Sequence, residues 1–236
     1  MPSSHARTTY LAFECFLLFF ATPLAITLGW LQPTYILPLL GLITLICFAI
    51  LLFDPEYDRK SDFRLPSRPE LLSLLPKTAA VFLTVLLLAG LGDLFNIWQP
   101  WFGDRAPPGD QLFLRLLLER PTIFAAILLG YPLLSAFPQE ILYRSFFFQR
   151  YAPILGCGWL LIFTNAAAFG IMHLVFLNWL APILTLAGGL LITLTYFHTR
   201  STLLATIEHT LYGYAIWLSG LGWFFFFGWN RALEAS

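Results

Sequence analysis

TYILPLLGLITLICFAILLF, residues 34–53, runs for 20 positions without an Asp, Glu, Lys or Arg. At about 1.5 Å of rise per helical residue it matches the roughly 30 Å hydrocarbon layer of a bilayer. Comparable apolar stretches read at 9–31, 76–98, 120–137, 155–176, 178–198 and 201–220. The chain of 236 residues is 58% hydrophobic, only 11% charged and holds 24 phenylalanines. A soluble domain of that size has too little interior to hide so much apolar surface. The sequence therefore predicts an all-α, polytopic membrane helix bundle of seven or eight transmembrane helices, integral and multi-pass, with the lipid bilayer as its first partner. A more polar helix is expected from Phe137 to Arg150, completing or following the fourth span. The stretch Trp223 to Trp229 is too short to span and reads as an aromatic interfacial end.

The first apolar run starts soon after Arg7, exceeds a signal-peptide core and is followed at once by a second span, so an uncleaved anchor is expected. Cys15, Cys47 and Cys157 fall in apolar helices, where they read as packing residues. Arg59, Lys60, Arg64, Arg68 and Lys77 gather around the polar stretch 54–77, whereas 31–35 carries no charge. The positive-inside rule puts the N-terminus and loop 54–77 in the cytoplasm. Asp54, Glu56, Asp58, Asp62 and Glu70 nearly balance that loop, and the whole chain has a formal charge of zero, so no nucleic acid is expected as a partner. Gln99 to Gln111, with Pro100, Gly103, Pro107, Pro108 and Gly109, reads as a loop. It divides the single integral membrane domain, 1–236, into N-terminal helices and loops, 1–118, and a C-terminal core, 119–220.

That core holds three polar clusters whose burial in lipid demands a reason. In the first, Pro138 suits the opening turn of a helix, which would put Gln139 and Glu140 at its N-terminus. Glu140 and Arg144 are four apart and able to pair, which lowers the cost of burying both. In the second, Asn165, Phe169 and His173 recur every four residues along one side of a helix, and Gly170 admits a close neighbour. In the third, His209, Tyr212 and Gly213 share a face while Glu208 points about 100° away, free to pair with Tyr212 or another helix. Each cluster alone also suits plain packing: a locked ion pair, or a hydrogen-bonded core histidine.

Together, a carboxylate and two imidazoles on successive helices are what peptide hydrolysis inside a membrane needs. A base must take a proton from water, and the oxyanion formed at the carbonyl must be stabilised. Glu140, His173 and His209 would also be the ligands if a divalent metal such as zinc were bound, although no cofactor is strictly required and no H-E-x-x-H helix is present. No G-x-S-x-G motif supports serine catalysis. Depth provides a check. With Arg150 and Arg200 near one membrane face, Glu140 and His209 lie roughly 13–15 Å from it. A straight helix from Leu155 would carry His173 roughly 27 Å, so that helix must tilt or start after Gly156 and Gly158.

These residues resemble the CAAX prenyl endopeptidase and bacteriocin-processing intramembrane proteases, the CPBP or Abi family, over about residues 120 to 220. The family pattern is E-E-x-x-x-R, then F-x-x-x-H, then H-x-x-x-N or D. Gln139-Glu140-Ile-Leu-Tyr-Arg144 is similar to the first, Phe169-Gly-Ile-Met-His173 fits the second, and His209-Thr-Leu-Tyr-Gly213 keeps only the histidine of the third. The resemblance implies an intramembrane endopeptidase acting on a peptide or protein, lipidated substrates included. It implies that a glutamate and His173 activate water and that His209 stabilises the oxyanion. Gln139 stands where the family has its first glutamate, and an amide accepts no proton as a base, so Glu140 is the expected base, held by Arg144. Gln139, Arg144, Asn165 and Tyr212 are the supporting residues, Tyr212 or a backbone N–H replacing the Asn or Asp missing at Gly213. A catalytically silent scaffold and a small transporter are the alternatives; Glu14, Asp93 and Asn96 are further intramembrane polar groups that a transport path would use.

Overall fold

A computed structural model of the protein describes residues 4–30, 35–103, 106 and 112–225. All regular structure among them is helical. Six helices are long and apolar enough to cross a membrane: α1 (His5–Thr27), α2 (Ile36–Phe53), α3 (Arg68–Leu94), α4 (Pro121–Leu155), α5 (Trp159–Phe176, whose last turn from His173 narrows to a 3-10 helix) and α6 (Leu180–Thr199). A seventh, α7 (Thr202–Ser219), is less apolar and packs among them along α3, α4 and α6. Leu42, Leu45, Leu83, Leu129, Leu133, Leu134 and Phe163 point outward. An apolar exterior around a core that holds Glu140, Arg144 and Asn165 is the pattern of a membrane bundle.

Local chemistry sets the helix ends. The Ser67 N–H donates to Glu70 at 2.8 Å, and Arg64 grips the same carboxylate, which fixes the start of α3. Ser201 accepts the Leu204 N–H at 3.2 Å and opens α7. Gly220 closes it at φ +92°, where a Cβ would sit 1.9 Å from the Leu112 carbonyl oxygen. Asp62, buried under the start of α7, accepts from the Thr202 hydroxyl at 2.8 Å and from Tyr57. Burial, then the Asp62 carboxylate, pushes the Tyr57 hydroxyl well above its ordinary pKa and keeps it a donor.

The largest departure from the sequence reading is α4. The helix of 137–150 completes the fourth span, and the helix start read at Pro138 is absent: Pro121 to Leu155 is one helical run of 35 residues. Two wide π turns, Pro132–Ala136 and Ile141–Phe146, flank Phe137–Glu140. Prolines at 132 and 138 supply no N–H to the ladder, and the helix continues through wide turns instead of stopping. Glu140 is therefore not at a helix N-terminus, and no end-dipole favours its ionised form. By contrast, α5 does start late, at Trp159 after Gly158, as the depth of His173 requires. Residues Trp98–Phe102 form a short helix that overlaps the start of the stretch expected as a loop. Residues 104, 105 and 107–111 of that loop, 31–34, and 226–229 of the expected aromatic end lie outside the described residues.

Candidate active site

The three clusters meet where α4, α5, α6 and α7 pack together. Their closeness comes from small residues: a Cβ on Gly189 of α6 would lie 2.7 Å from the Phe169 ring of α5, and one on Gly170 would lie 3.0 Å from Leu186. Phe169, thus pressed into the core, touches both histidines, with ring centroids 4.8 Å from His173 and 5.4 Å from His209.

Glu140 is fully buried and shared by two partners. Its Oε1 lies 2.8 Å from His209 Nδ1, and its Oε2 lies 3.2 Å from Arg144 Nε. A carboxylate accepts only, so Nδ1 of His209 carries the proton and its Nε2 is the nitrogen left to act. Arg144 is held in turn. Its Nη1 donates to Asn165 Oδ1 at 2.9 Å, its Nη2 to the Gly189 carbonyl at 3.4 Å, and its guanidinium lies 5.1 Å from the Phe169 ring centroid. Asn165 is fixed by donation to the Tyr143 carbonyl and by the Thr193 hydroxyl, 2.8 Å from its Oδ1. Every member of this network is buried, which makes its geometry stiff.

His173 stands apart from the network. Its Nδ1 donates to the Phe169 carbonyl at 2.8 Å, an acceptor-only partner, so the neutral ring presents Nε2 as a free lone pair. Gln139 donates to Ser135 Oγ at 2.8 Å. Tyr212 does not complement His209: its hydroxyl donates to Glu208 at 2.6 Å, on the side of α7 facing Lys77. The geometry thus links Glu140, Arg144, Asn165 and His209 through hydrogen bonds and the Glu140–Arg144 ion pair, joins His173 to them through Phe169, and leaves Tyr212 outside. Tyr131 and Thr193 are additions. Only the gap implied by Gly213 hinted at the first of them.

Glu14 and Asp93 are satisfied locally. Glu14 forms two 2.9 Å bonds with Arg150 and accepts from Tyr151 at 3.0 Å. Asp93 accepts from Trp98 Nε1 at 2.6 Å and from the backbone N–H groups of Leu112 and Phe113.

Among the described residues no three His, Cys, Asp or Glu side chains gather as a ligand set. Glu140 and His209 face each other instead of a common point, and the Arg144 guanidinium occupies the electrostatic place of a cation beside Oε2.

Residues 121–215 match the family described as Rce1-like, Type II CAAX prenyl endopeptidase. Searches of curated proteins and of solved structures returned no significant match. The matched segment carries every member of the network, together with Gln139, His173 and Gly213. Over these residues the chain is similar to the Rce1-like, Type II CAAX prenyl endopeptidase family.

Proposed function

We propose that the protein is an intramembrane endopeptidase of the CAAX-protease type, hydrolysing a peptide bond in a membrane-associated peptide or protein, lipidated C-termini among them. The observation that carries this reading is the pairing of two differently set imidazoles: His173 with Nε2 open, and His209 backed by the buried Glu140. His173 Nε2 takes a proton as the water oxygen attacks the carbonyl carbon, and the C=O π electrons move to oxygen. His209, protonated on both nitrogens in this step and oriented by Glu140 at Nδ1, donates Nε2–H to that oxyanion. Collapse re-forms the carbonyl, breaks the C–N bond and returns the proton from His173 to the leaving amine. Glu140 then acts through His209 instead of as the base, because its Oε1 is hydrogen-bonded to His209 while its Oε2 lies in an ion pair with Arg144. No step uses a metal. The N-terminus and loop 54–77 lie on the cytoplasmic side in this reading.

Purified protein in nanodiscs would be given internally quenched peptides with and without an S-farnesyl cysteine near the C-terminus. Wild-type cleavage is expected, with His173→Ala lowering kcat by about 10²–10⁴, the usual range for a lost general base. Equal cleavage by His173→Ala and His209→Ala would overturn the reading. Gln139 and Gly213 favour one second reading, a catalytically silent relative that acts by binding; it predicts wild-type biological activity in both variants.

A further inference from the structure

Gly213 lies one turn beyond His209 on the same face of α7, and its missing side chain leaves a gap beside the imidazole. Tyr131 of α4 fills it. A Cβ at 213 would stand 2.2 Å from Tyr131 Cε1, 2.4 Å from Cζ and 2.5 Å from the hydroxyl oxygen, so it is the polar end of the phenol that enters the gap. The Tyr131 ring meets His209 edge-on, with centroids 5.9 Å apart. The neighbouring Tyr214 spends its hydroxyl on the Leu128 carbonyl at 2.6 Å, whereas the Tyr131 hydroxyl has no hydrogen-bond partner among the described residues. A phenol placed beside a candidate oxyanion donor, with its proton uncommitted, is built to donate to something absent from the resting protein.

We propose that the Tyr131 hydroxyl is the second oxyanion donor of this site, reaching through the space that Gly213 vacates; the proposal rests on the peptidase reading above. In the tetrahedral intermediate the oxyanion accepts from His209 Nε2–H and from Tyr131 O–H, no proton is transferred from Tyr131, and both bonds are released when the carbonyl re-forms. Gly213 is then required for catalysis only because it makes room.

Tyr131→Phe removes the oxygen and keeps the ring in the gap. With the farnesylated quenched peptide, kcat is expected to fall by about 10²-fold, the effect typical of one lost oxyanion donor, with KM within about twofold and the thermal midpoint unchanged. Affinity for a phosphinate peptide mimicking the tetrahedral carbon should fall by a similar factor, a response that a packing role would not produce. Tyr131→Ala combined with Gly213→Asn, which moves an amide donor into the freed space, should recover activity relative to Tyr131→Ala alone. Wild-type kcat and phosphinate affinity in Tyr131→Phe would overturn this proposal while leaving the peptidase reading intact, provided His173→Ala is inactive. If His173→Ala cleaves like the wild type, the peptidase reading falls and this proposal with it.

Discussion

Glu140 and Glu208 are both fully buried carboxylates in the same bundle, yet their surroundings assign them different work. Glu208 accepts from Lys77 Nζ at 2.8 Å and from the Tyr212 hydroxyl at 2.6 Å. A lysine and a phenol both keep their protons near neutral pH, so that pairing is permanent and ties α3 to α7. Glu140 faces Arg144 on one side and His209 on the other. An imidazole can gain and lose a proton near neutrality, so a carboxylate backing it changes chemistry as well as packing. Glu208 and His209 are neighbours in sequence, but a helix turns about 100° per residue and sends them to different sides of α7. The lesson is that burial marks a charge as needing a partner, and the nature of the partner says whether the result is a clasp or a reactive group.

That contrast can be broken by substitution. Glu140→Gln should cause the larger functional loss: kcat is expected to fall by about 10²–10⁴, comparable to the loss of an orienting carboxylate behind a catalytic histidine, with KM little changed. Wild-type turnover in steady-state assays of this variant would remove Glu140 from the mechanism. Lys77→Met leaves the buried Glu208 without its cationic partner and with only the Tyr212 hydroxyl, so stability is expected to fall by about 3–5 kcal/mol in detergent unfolding titrations while kcat per folded molecule is retained. A kcat loss without destabilisation would erase the distinction between the two carboxylates. Gly189→Ala pushes a methyl group into the Phe169 ring, 2.7 Å away. It should cost about 1–3 kcal/mol and also lower activity, because Phe169 touches both imidazoles. The smallest effect is expected from Ser201→Ala, which loses the cap of α7 and about 1 kcal/mol, with activity unchanged.

The membrane bundle was legible because apolar runs such as 34–53 have one physical meaning at that length. The spacing of Asn165, Phe169 and His173 also carried through, since a regular helix runs to Met172 and His173 follows at its end, opening the 3-10 turn. Phe137 to Arg150 was harder to read. Pro138 signals a helix start by local rules, but here the run continues through π turns, a tertiary outcome that no local propensity encodes. The roles of Glu140 and Tyr212 turn on which atoms meet across helices, and spacing within one helix does not specify that. Gly213 was visible only as a missing side chain; that Tyr131, 82 positions earlier in the chain, supplies the occupant became apparent in three dimensions.

The π turn at Pro132–Ala136 separates Tyr131 from Glu140 along α4, and both face His209. A π turn holds about one residue more than an α turn, and one residue corresponds to about 100° of rotation. The angular relation between the phenol and the carboxylate therefore depends on a count. Removing one of the outward-facing residues Leu133 or Leu134, neither of which touches the site, would restore regular winding and swing one of the two groups away from the histidine.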